Sequence, residues 1–186
     1  DRRVVGVVAH KDQQEQLVGA RAAVVLCAGG FINNKDMVDR YAPLLRKCKF
    51  RAGSEGDDGR GIRMGMGVGG AAIRMDVGCV VLPFTVPKQL VKGIFVNRQG
   101  QRFINEDLYQ TVVGEAALLR EQGEVFLVVD NDIYEQPFPP TELAAVEDTI
   151  EDLERSMKMP EGSLQHTVSF YNQHAAGGQD PLFHKQ

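Results

Sequence analysis

Apolar and polar positions alternate along the first 20 residues of the chain. The stretch over residues 4–9 is rich in valine, and a polar turn over residues 11–14 follows it. A second alternating stretch then rises toward Ala20. Alternation with a period of two on both sides of a short polar turn is typical of two antiparallel strands. The pattern therefore predicts a β-hairpin.

The next segment is apolar at every position and ends in a pair of glycines. Residues 24–27 are Val-Val-Leu-Cys, and Ala28-Gly29-Gly30 follows directly. A short, uninterrupted apolar run is typical of a central parallel strand that is buried on both faces. Glycine has no Cβ atom, so backbone amides there can approach a bulky ligand closely.

A second glycine-bearing segment, Asp58-Gly59-Arg60-Gly61, stands about 30 residues further along the chain. Asp57 or Asp58 can cap a helix over residues 59–70, although the glycines within it lower its intrinsic stability. The free amides and the dipole at such a helix start favour a negatively charged ligand. Tight packing against strands is the structural alternative for the same glycines.

The remaining elements follow from the same kinds of pattern. Apolar runs predict strands, and residues 102–104 are expected to pair back on residues 93–96 across a tight turn. Capping residues and prolines set the expected helix boundaries. The expected elements are helix 35–41 capped by Asn33 or Asn34, strands 77–82, 93–96, 102–104 and 125–129, helix 112–122 ended by Gly123, a short helix opened by the box Thr149 to Asp152, and a helix that starts at Pro160, carries Leu164, Val168, Tyr171 and Ala175 on one face and ends at Gly177.

This order of elements predicts an α/β to α+β fold. A β-hairpin and a central strand come first, and a mixed α+β region follows. The shift from a glycine-rich helix to proline-bounded strands places a domain boundary near residues 74–84. We therefore expect one domain over residues 1–76 and a second over residues 77–186.

Composition and charge exclude several classes of function. The net charge of −4 gives no basic surface for a nucleic-acid partner. The four histidines are scattered without metal-ligand spacing, so no metal site is expected. No apolar run approaches the ~20 residues needed to span a membrane. Cys27, Cys48 and Cys79 are widely spaced and odd in number, which favours reduced thiols and a cytoplasmic location.

Four blocks of the sequence together resemble a family of flavoproteins. They are residues 22–31, 56–62, 94–107 and 167–185. In this order they are similar to fumarate reductases, succinate dehydrogenase flavoprotein subunits and 3-ketosteroid dehydrogenases. The resemblance implies that residues 1–76 are part of an FAD-binding domain and residues 77–186 a substrate-capping domain. It also implies a flavin-dependent oxidoreductase that reduces or dehydrogenates a carbon–carbon bond beside a carbonyl.

The resemblance implies FAD as the cofactor of the full-length protein. In this family the first glycine pair contacts the adenosine-diphosphate part of FAD, and a Thr-Gly-Asp-Gly segment contacts the cofactor further on. Asp58 and Arg60 depart from that second motif, whereas both of its glycines are kept. The implied contacts are Ala28, Gly29, Gly30, Asp58, Gly59 and Gly61.

The resemblance also suggests two residues for proton transfer. Steroid dehydrogenases of this family use tyrosines in this role, and Tyr109 follows Asn105-Glu106-Asp107. In fumarate reductases an arginine closes the last block and protonates the substrate, and Lys185 occupies that place here. The alternatives are a tyrosine packed in the core with a hydrogen-bonded hydroxyl, and a lysine exposed to solvent.

Residues 76–90 contain no histidine, which fumarate reductases carry beside the dicarboxylate site. Phe84 and its apolar neighbours instead favour a small apolar substrate of the ketosteroid kind. A fumarate reductase or succinate dehydrogenase activity is the alternative, and a non-catalytic binding domain without cofactor is an alternative of another class. The sequence does not identify the electron acceptor.

No Gly-x-Gly-x-x-Gly run follows a strand in this sequence, although flavoproteins of this type begin with one. The family's C-terminal flavin segment is also missing. The chain is therefore expected to be the middle of a longer enzyme. Alone, these 186 residues should be inactive and should bind FAD weakly or not at all.

Overall fold

The computed structural model describes residues 3–82, 87–137 and 141–186. These residues form a mixed fold of α-helices and small antiparallel sheets, as the sequence predicts. The strands are β1 (Gly6–Lys11), β2 (Gln14–Gly19), β3 (Ile94–Asn97) and β4 (Val125–Val128). The α-helices are α1 (Lys35–Tyr41), α2 (Arg60–Gly67), α3 (Gln110–Leu119), α4 (Ile150–Ser156) and α5 (Ser163–Ala175), and two short 3₁₀ helices cover Pro43–Lys47 and Lys88–Lys92.

The chain divides into two compact units. The N-terminal unit is Asp1–Gly78 and the C-terminal unit is Cys79–Gln186. The assignment of residues 1–76 to a cofactor domain and of residues 77–186 to a substrate cap stays a prediction. Within the described ranges, no helix is both long enough and apolar enough to cross a membrane.

The N-terminal hairpin is confirmed. β1 and β2 pair antiparallel, with Gly6 opposite Gly19 and Lys11 opposite Gln14. Asp12 and Gln13 form the turn with φ values of 49° and 64°. Two successive residues with positive φ give a turn whose twist matches that of the strands, and aspartate tolerates this conformation better than most residues.

The central strand predicted for residues 24–27 is wrong. These residues form no strand in the described part of the chain, and Val25 is 80% exposed. A parallel strand needs neighbouring strands to pair its backbone and to cover its faces. The described pairings join β1 to β2 and β3 to β4, and neither sheet includes this segment.

The two α-helices of the N-terminal unit begin close to their predicted capping residues, but only α1 has the predicted length. α1 matches the prediction, because the Asn34 side chain accepts a hydrogen bond from the Met37 N–H and Pro43 begins the next helix. α2 is shorter than predicted. Gly59 is its N-cap residue, while the Asp58 carboxylate accepts a hydrogen bond from the Arg60 N–H.

The β3–β4 ribbon is the centre of the C-terminal unit. One of its faces, with Ile94 and Val96, packs against Met159 and Leu164 from the α4–α5 region. The opposite face, with Phe95, packs in a second cluster with Val113 and Ala116 of α3. Helices therefore cover both faces, which explains why all four residues of β3 are buried.

Of two further strands predicted in the C-terminal unit, one is confirmed in part. Residues 102–104 pair back on β3 through a single antiparallel bridge, between Val96 and Arg102, and the Asn97 N–H donates to the Gln101 carbonyl at 2.9 Å. Val96 also pairs with Phe126 of β4, so β4 forms the longer ladder on the opposite edge of β3.

The strand predicted over residues 77–82 is wrong, since these residues are irregular, although Val80 is buried. A Cβ atom added to Gly114 of α3 would lie 2.2 Å from the Val80 carbonyl oxygen, so this segment packs directly on α3.

The helix boundaries depart from the predicted ones by a few residues. α3 begins two residues earlier and ends three residues earlier than predicted, and Gly123 with φ +78° donates its N–H to the Ala117 carbonyl. α5 begins at Ser163 rather than Pro160. The reason is Glu154, whose buried carboxylate accepts hydrogen bonds from the N–H groups of Gly162 and Leu164 and so caps α5 at that point.

The predicted apolar face of α5 is partly confirmed. Leu164 is fully buried, and Val168 and Tyr171 pack against the same core. Ala175 is exposed at the last helical position. The helix ends at Ala175 with Ala176 as its C-cap residue, so the predicted Gly177 directly follows the cap, and Gly178 in the same turn has a φ of +69°.

Candidate functional site

The two glycine segments of the N-terminal unit lie next to each other. The Gly59 N–H donates to the Gly30 carbonyl at 2.9 Å, and the Asn33 N–H donates to the Asp57 carbonyl at 3.0 Å. The Asn34 side chain adds a third link, by donating to the Asp58 carbonyl at 2.8 Å. The structure thus brings together all six residues that the sequence predicts as cofactor contacts.

Three of these glycines are required by the protein itself. A Cβ atom on Gly29 would lie 1.8 Å from Asp57 Oδ1, and one on Gly59 would lie 2.3 Å from Met37 Sδ. Both glycines also have positive φ, at 71° and 78°. A Cβ atom on Gly61 would lie 2.7 Å from the Cβ atom of Ala28. Packing and backbone conformation therefore account for these positions without any ligand.

Gly30 differs from its neighbours. A Cβ atom built on this residue meets nothing within 4 Å, and its φ lies outside the left-handed region. The residue is exposed, and its N–H is held by Asp57. Local packing among the described residues therefore does not require glycine at position 30, and an external group can approach the backbone here.

An open groove of about 370 Å³ runs beside these segments. Its lining is largely apolar and includes glycines at three positions. This composition suits the face of an aromatic ring better than a charged group. The lining residues are Leu26, Ala28, Gly29, Gly61, Ile62, Gly65, Met66, Ala71, Ala72, Ile73 and Met75.

The N-terminus of α2 already carries a negative charge. The Asp58 carboxylate accepts from the Arg60 N–H, and it also pairs with the Arg60 side chain at 2.8 Å. A second anion at this helix start would be repelled by Asp58. The sequence predicts that this helix start favours a bound anion, but the Asp58 carboxylate already present there makes such binding less favourable.

Gly65, Gly67 and Gly70 have the Gly-x-Gly-x-x-Gly spacing, but they lie at the wrong end of a helix for phosphate binding. α2 ends at Gly67, and the Gly70 N–H donates to the Gly65 carbonyl. In the dinucleotide motif the glycines precede a helix, whose N-terminus receives the pyrophosphate. These three glycines instead close α2.

The C-terminal unit contains a buried cluster of charged side chains. The Arg102 guanidinium donates to both oxygens of Glu106, at 3.1 and 2.7 Å, and to both oxygens of Asp180, at 3.0 and 2.9 Å. Glu106 also accepts from the Phe95 N–H, and Asp180 accepts from the Lys185 N–H. The arginine is therefore paired twice in a bidentate manner, which joins the segment after β3 to the last residues of the chain.

Burial and pairing act in opposite directions on the pKa values in this cluster. Burial alone would raise the pKa of Asp180, but its hydrogen bonds from Arg102 and from backbone N–H groups lower that pKa to about 2. Burial also disfavours the charge of Arg102, yet its two carboxylate partners raise the pKa of Arg102. Both groups are charged at neutral pH. The rings of Tyr171 and Phe183 pack on the guanidinium at 4.7 and 5.1 Å.

Lys185 belongs to this cluster and is not exposed to solvent. Only 7% of its side chain is accessible, and its ammonium group donates to the Gly93 carbonyl at 2.6 Å. Glu106 Oε2 lies 3.5 Å from the same nitrogen. Burial lowers the pKa of Lys185, and the nearby Glu106 carboxylate opposes that change. A lysine in this setting can hold or release a proton, but its reach is restricted by two partners.

Tyr109 lies at the N-cap position of α3 and is 70% exposed. The alternative of a core tyrosine is therefore wrong in this chain. Because the side chain is accessible, its hydroxyl group is available to a ligand or to another protein segment. A role in proton transfer stays a prediction.

Three residues that hold the glycine segments and the buried charged cluster together are not predicted as such from the sequence: Asp57, Arg102 and Asp180. Asp57 was considered only as a helix cap, and Arg102 and Asp180 only as parts of family motifs. The available signal for the cluster is an arginine and a glutamate four residues apart, on either side of the apolar pair Phe103-Ile104. The apolar wall predicted at Phe84 lies outside the described residues.

Within the described ranges, no group of three or more His, Cys, Asp or Glu side chains is placed to hold a metal ion. Cys27, Cys48 and Cys79 are free thiols, and Cys27 and Cys79 are exposed.

Comparison with known proteins identifies the family. Residues 1–186 match the family described as FAD binding domain. The chain belongs to this family. The predicted resemblance is thereby confirmed, and FAD is the cofactor to which the family's name refers.

Several relatives of this FAD-binding chain are reductases or steroid dehydrogenases. A probable fumarate reductase of Shewanella frigidimarina is 31% identical over 98% of the chain and 33% of its own length. A crystal structure of a 3-ketosteroid-Δ4-(5α)-dehydrogenase from Rhodococcus jostii, in complex with 4-androstene-3,17-dione, is 38% identical with a TM-score of 0.85. A ketosteroid Δ1-dehydrogenase structure from Sterolibacterium denitrificans is 27% identical with a TM-score of 0.75.

The chain spans only part of these relatives. It covers 40% of the Rhodococcus chain and 38% of the Sterolibacterium chain, while those alignments include 100% and 98% of the present chain. The groove and the open backbone at Gly30 fit an aromatic, uncharged part of FAD. The α2 N-terminus, with Asp58 in place, does not fit the pyrophosphate.

Proposed function

We propose that the protein containing this chain is an FAD-dependent oxidoreductase. Its reaction adds or removes hydrogen across a carbon–carbon bond beside a carbonyl group, and its preferred substrate is a small apolar molecule of the ketosteroid class. The observation that carries this proposal is the likeness to the steroid-bound Rhodococcus dehydrogenase, at 38% identity over the whole chain. The family membership and the reductase relatives favour an enzyme over a non-catalytic binding domain.

In this proposal the N-terminal unit holds part of the cofactor. The space beside Gly30 is open, and Ala28, Gly29 and Gly61 line the groove. Gly59 and Asp58 hold the second segment in place beside them. FAD, when bound, supplies the acceptor or donor of hydride for the reaction. We assign the adenosine end of FAD to the groove, since the lining is apolar and the nearest helix start is already occupied by Asp58.

The C-terminal unit supplies the proton in this proposal. Tyr109 is the first candidate, because a phenol hydroxyl can donate a proton and this one is accessible. Lys185 is the second candidate. Its ammonium group is charged but is held by the Gly93 carbonyl and by Glu106, so it is less free to approach a substrate.

A fumarate-reductase-like activity is the second candidate function. It is favoured by the 31% identity to the Shewanella protein. A dicarboxylate, however, is best held by arginine side chains with free donors. In the C-terminal unit, the N–H donors of Arg102 are bonded to Glu106 and Asp180. Position 185 is a lysine where fumarate reductases carry an arginine. We therefore keep the steroid class first. We place the protein in the cytoplasm, and its electron acceptor is not assigned.

The substrate assignment is tested by turnover of the full-length, FAD-loaded protein. We expect a 3-ketosteroid such as 4-androstene-3,17-dione to react with an artificial electron acceptor faster than succinate does. In the reductive direction, an apolar enone should react faster than fumarate. A fumarate reduction rate above that of every enone tested would favour the second candidate function instead.

The cofactor assignment is tested at Gly30. Gly30→Val in the full-length protein should lower FAD affinity at least about tenfold, because the new side chain occupies the open space where the ligand approaches the backbone. The matched control is Gly19→Val, since a Cβ atom at Gly19 also meets nothing within 4 Å. Fluorescence titration of the apoprotein with FAD measures both. Unchanged affinity in Gly30→Val would show that FAD does not occupy the open space beside Gly30.

A further inference from the structure

The carboxylate of Asp57 lies between the two glycine segments and is bonded to both sides. Its Oδ1 atom accepts from the Gly30 N–H at 3.0 Å. Its Oδ2 atom accepts from the Ser54 N–H at 2.8 Å and from the Ser54 hydroxyl at 3.4 Å. The two oxygens therefore serve different segments of the chain, one before α1 and one just before α2.

The backbone of Asp57 adds further links. Its N–H donates to the Ser54 carbonyl at 2.9 Å, and its carbonyl accepts from the Asn33 N–H at 3.0 Å. The Asn33 side chain in turn donates to the Ser54 carbonyl at 2.6 Å. Residues 53–57 are thus joined to residues 29–34 by several hydrogen bonds around one carboxylate.

The same carboxylate explains two glycines. A Cβ atom on Gly29 would lie 1.8 Å from Asp57 Oδ1, and one on Gly53 would lie 2.9 Å from Asp57 Oδ2. The Asp57 side chain therefore occupies the space that side chains at both positions would need. Asp57 thus contributes to the need for glycine at both positions, together with the positive φ of Gly29 and with Ile32, whose Cγ2 atom would lie 2.6 Å from a Cβ atom on Gly53, whereas the space beside Gly30 is open.

We propose that Asp57 is a positioning residue for the cofactor groove: it fixes the shape of the Ala28-Gly29-Gly30 segment, in which Ala28 and Gly29 line the groove and the space beside Gly30 is open to FAD. This inference rests on the proposed function. Asp57 itself does not contact the ligand in this proposal. Its effect is transmitted through the Gly30 N–H, which it holds, and through Ser54, which fixes the carboxylate from the other side.

Asp57→Asn tests this role most directly, because it keeps the size of the side chain and removes one of its two acceptor oxygens. An amide has one acceptor oxygen and one donor nitrogen, so it can accept from either Gly30 or Ser54 but not from both. Asp57→Asn in the full-length protein should weaken FAD binding about tenfold, since hydrogen bonds to a charged group are the stronger kind. Turnover at saturating FAD should return to the wild-type value, because the chemistry lies elsewhere. Asp39→Asn removes a carboxylate paired with Arg46 in the same unit and should leave FAD affinity unchanged.

A second measurement needs no cofactor. Gly29→Ala should be strongly destabilising alone, and less so in an Asp57→Ala background, because the clashing oxygen is gone. The coupling in the unfolding equilibrium constant of the apoprotein should be about fivefold or more. If the destabilising effects of Gly29→Ala and Asp57→Ala simply add in this double-mutant cycle, the inferred clash between position 29 and Asp57 would be overturned.

The outcomes separate this inference from the proposed function. Wild-type FAD affinity in Asp57→Asn, or turnover that stays low at saturating FAD, would overturn the positioning role. Loss of affinity in Asp57→Asn together with a coupled cycle supports it. Wild-type affinity in Gly30→Val would show that FAD does not bind beside Gly30, while the double-mutant cycle between positions 29 and 57 would still report on Asp57 alone.

Discussion

Replacing Arg102 with methionine is expected to lower the free energy of unfolding of the protein by about 3–5 kcal/mol. Methionine keeps much of the length of the side chain but leaves the buried carboxylates of Glu106 and Asp180 without their cation. Their side chains are 0% and 4% exposed, so water cannot replace the lost hydrogen bonds. Chemical denaturation of the full-length protein at neutral pH measures the change.

Arg98→Met is the matched control for this substitution. Arg98 lies four residues earlier and pairs with Glu124 at 2.5 Å, but both side chains are more than half exposed. Exposed ion pairs contribute about 0–1 kcal/mol, so the control should lose far less stability than Arg102→Met. Equal losses in the two variants would show that the buried cluster is not a special source of stability.

The difference in the free energy of unfolding between the wild type and Arg102→Met should depend on pH because of Asp180. Its pKa is lowered from 3.8 to about 2 by the partners that hold it in the folded chain. The stabilisation from its ionised form is fully present above pH 3.8 and is lost as the pH falls toward 2. The gap between the wild type and Arg102→Met should therefore persist at neutral pH and narrow in this acidic range.

Local patterns in the sequence predict the elements that depend on near neighbours. The hairpin of β1 and β2 needs only its own alternation and a turn at Asp12 and Gln13. The cap of α1 by Asn34 and the cap of α4 by Thr149 are likewise formed within four residues. Interactions of this range can be inferred from spacing alone.

Elements that depend on distant partners are predicted less well. Residues 24–27 have the composition of a buried strand, but composition does not provide the neighbouring strands that would pair with them. Residues 102–104 are predicted to form a strand beside β3, but only Arg102 bridges to it, and the longer ladder of β3 is with the distant β4. The start of α5 is set by Glu154 on the preceding helix rather than by Pro160. In each case the deciding partner is remote or belongs to another element.

The same distinction applies to the candidate site. The glycine segments are visible in the sequence as motifs, and the structure places them side by side. The role of each glycine is not visible, because it depends on Asp57, Met37 and Ala28 as packing partners. Arg102 and Asp180 are 78 residues apart in sequence, and their pairing follows only from the way the last residues fold back on the segment after β3.

Tyr109→Phe is expected to reduce turnover of the full-length enzyme about 10²–10⁴-fold while FAD stays bound. The substitution removes only the hydroxyl group, which is the proton-transferring part of the side chain. Tyr109 is 70% exposed at the start of α3, so loss of the hydroxyl should cost little folding stability. Steady-state turnover, with the absorbance of bound flavin as the measure of loading, tests this prediction.

Tyr134→Phe provides the control for this experiment. It removes a hydroxyl from the same unit that donates to the Gln136 side chain at 3.4 Å, and it should leave turnover near the wild-type value. If Tyr109→Phe also turns over normally, the proton must come from elsewhere, and Lys185→Met becomes the decisive variant. Its ammonium group is held by Gly93 and Glu106, so its removal should affect both turnover and stability, whereas the loss of an accessible phenol should affect turnover alone. The two candidates are thus separated by whether stability falls together with rate.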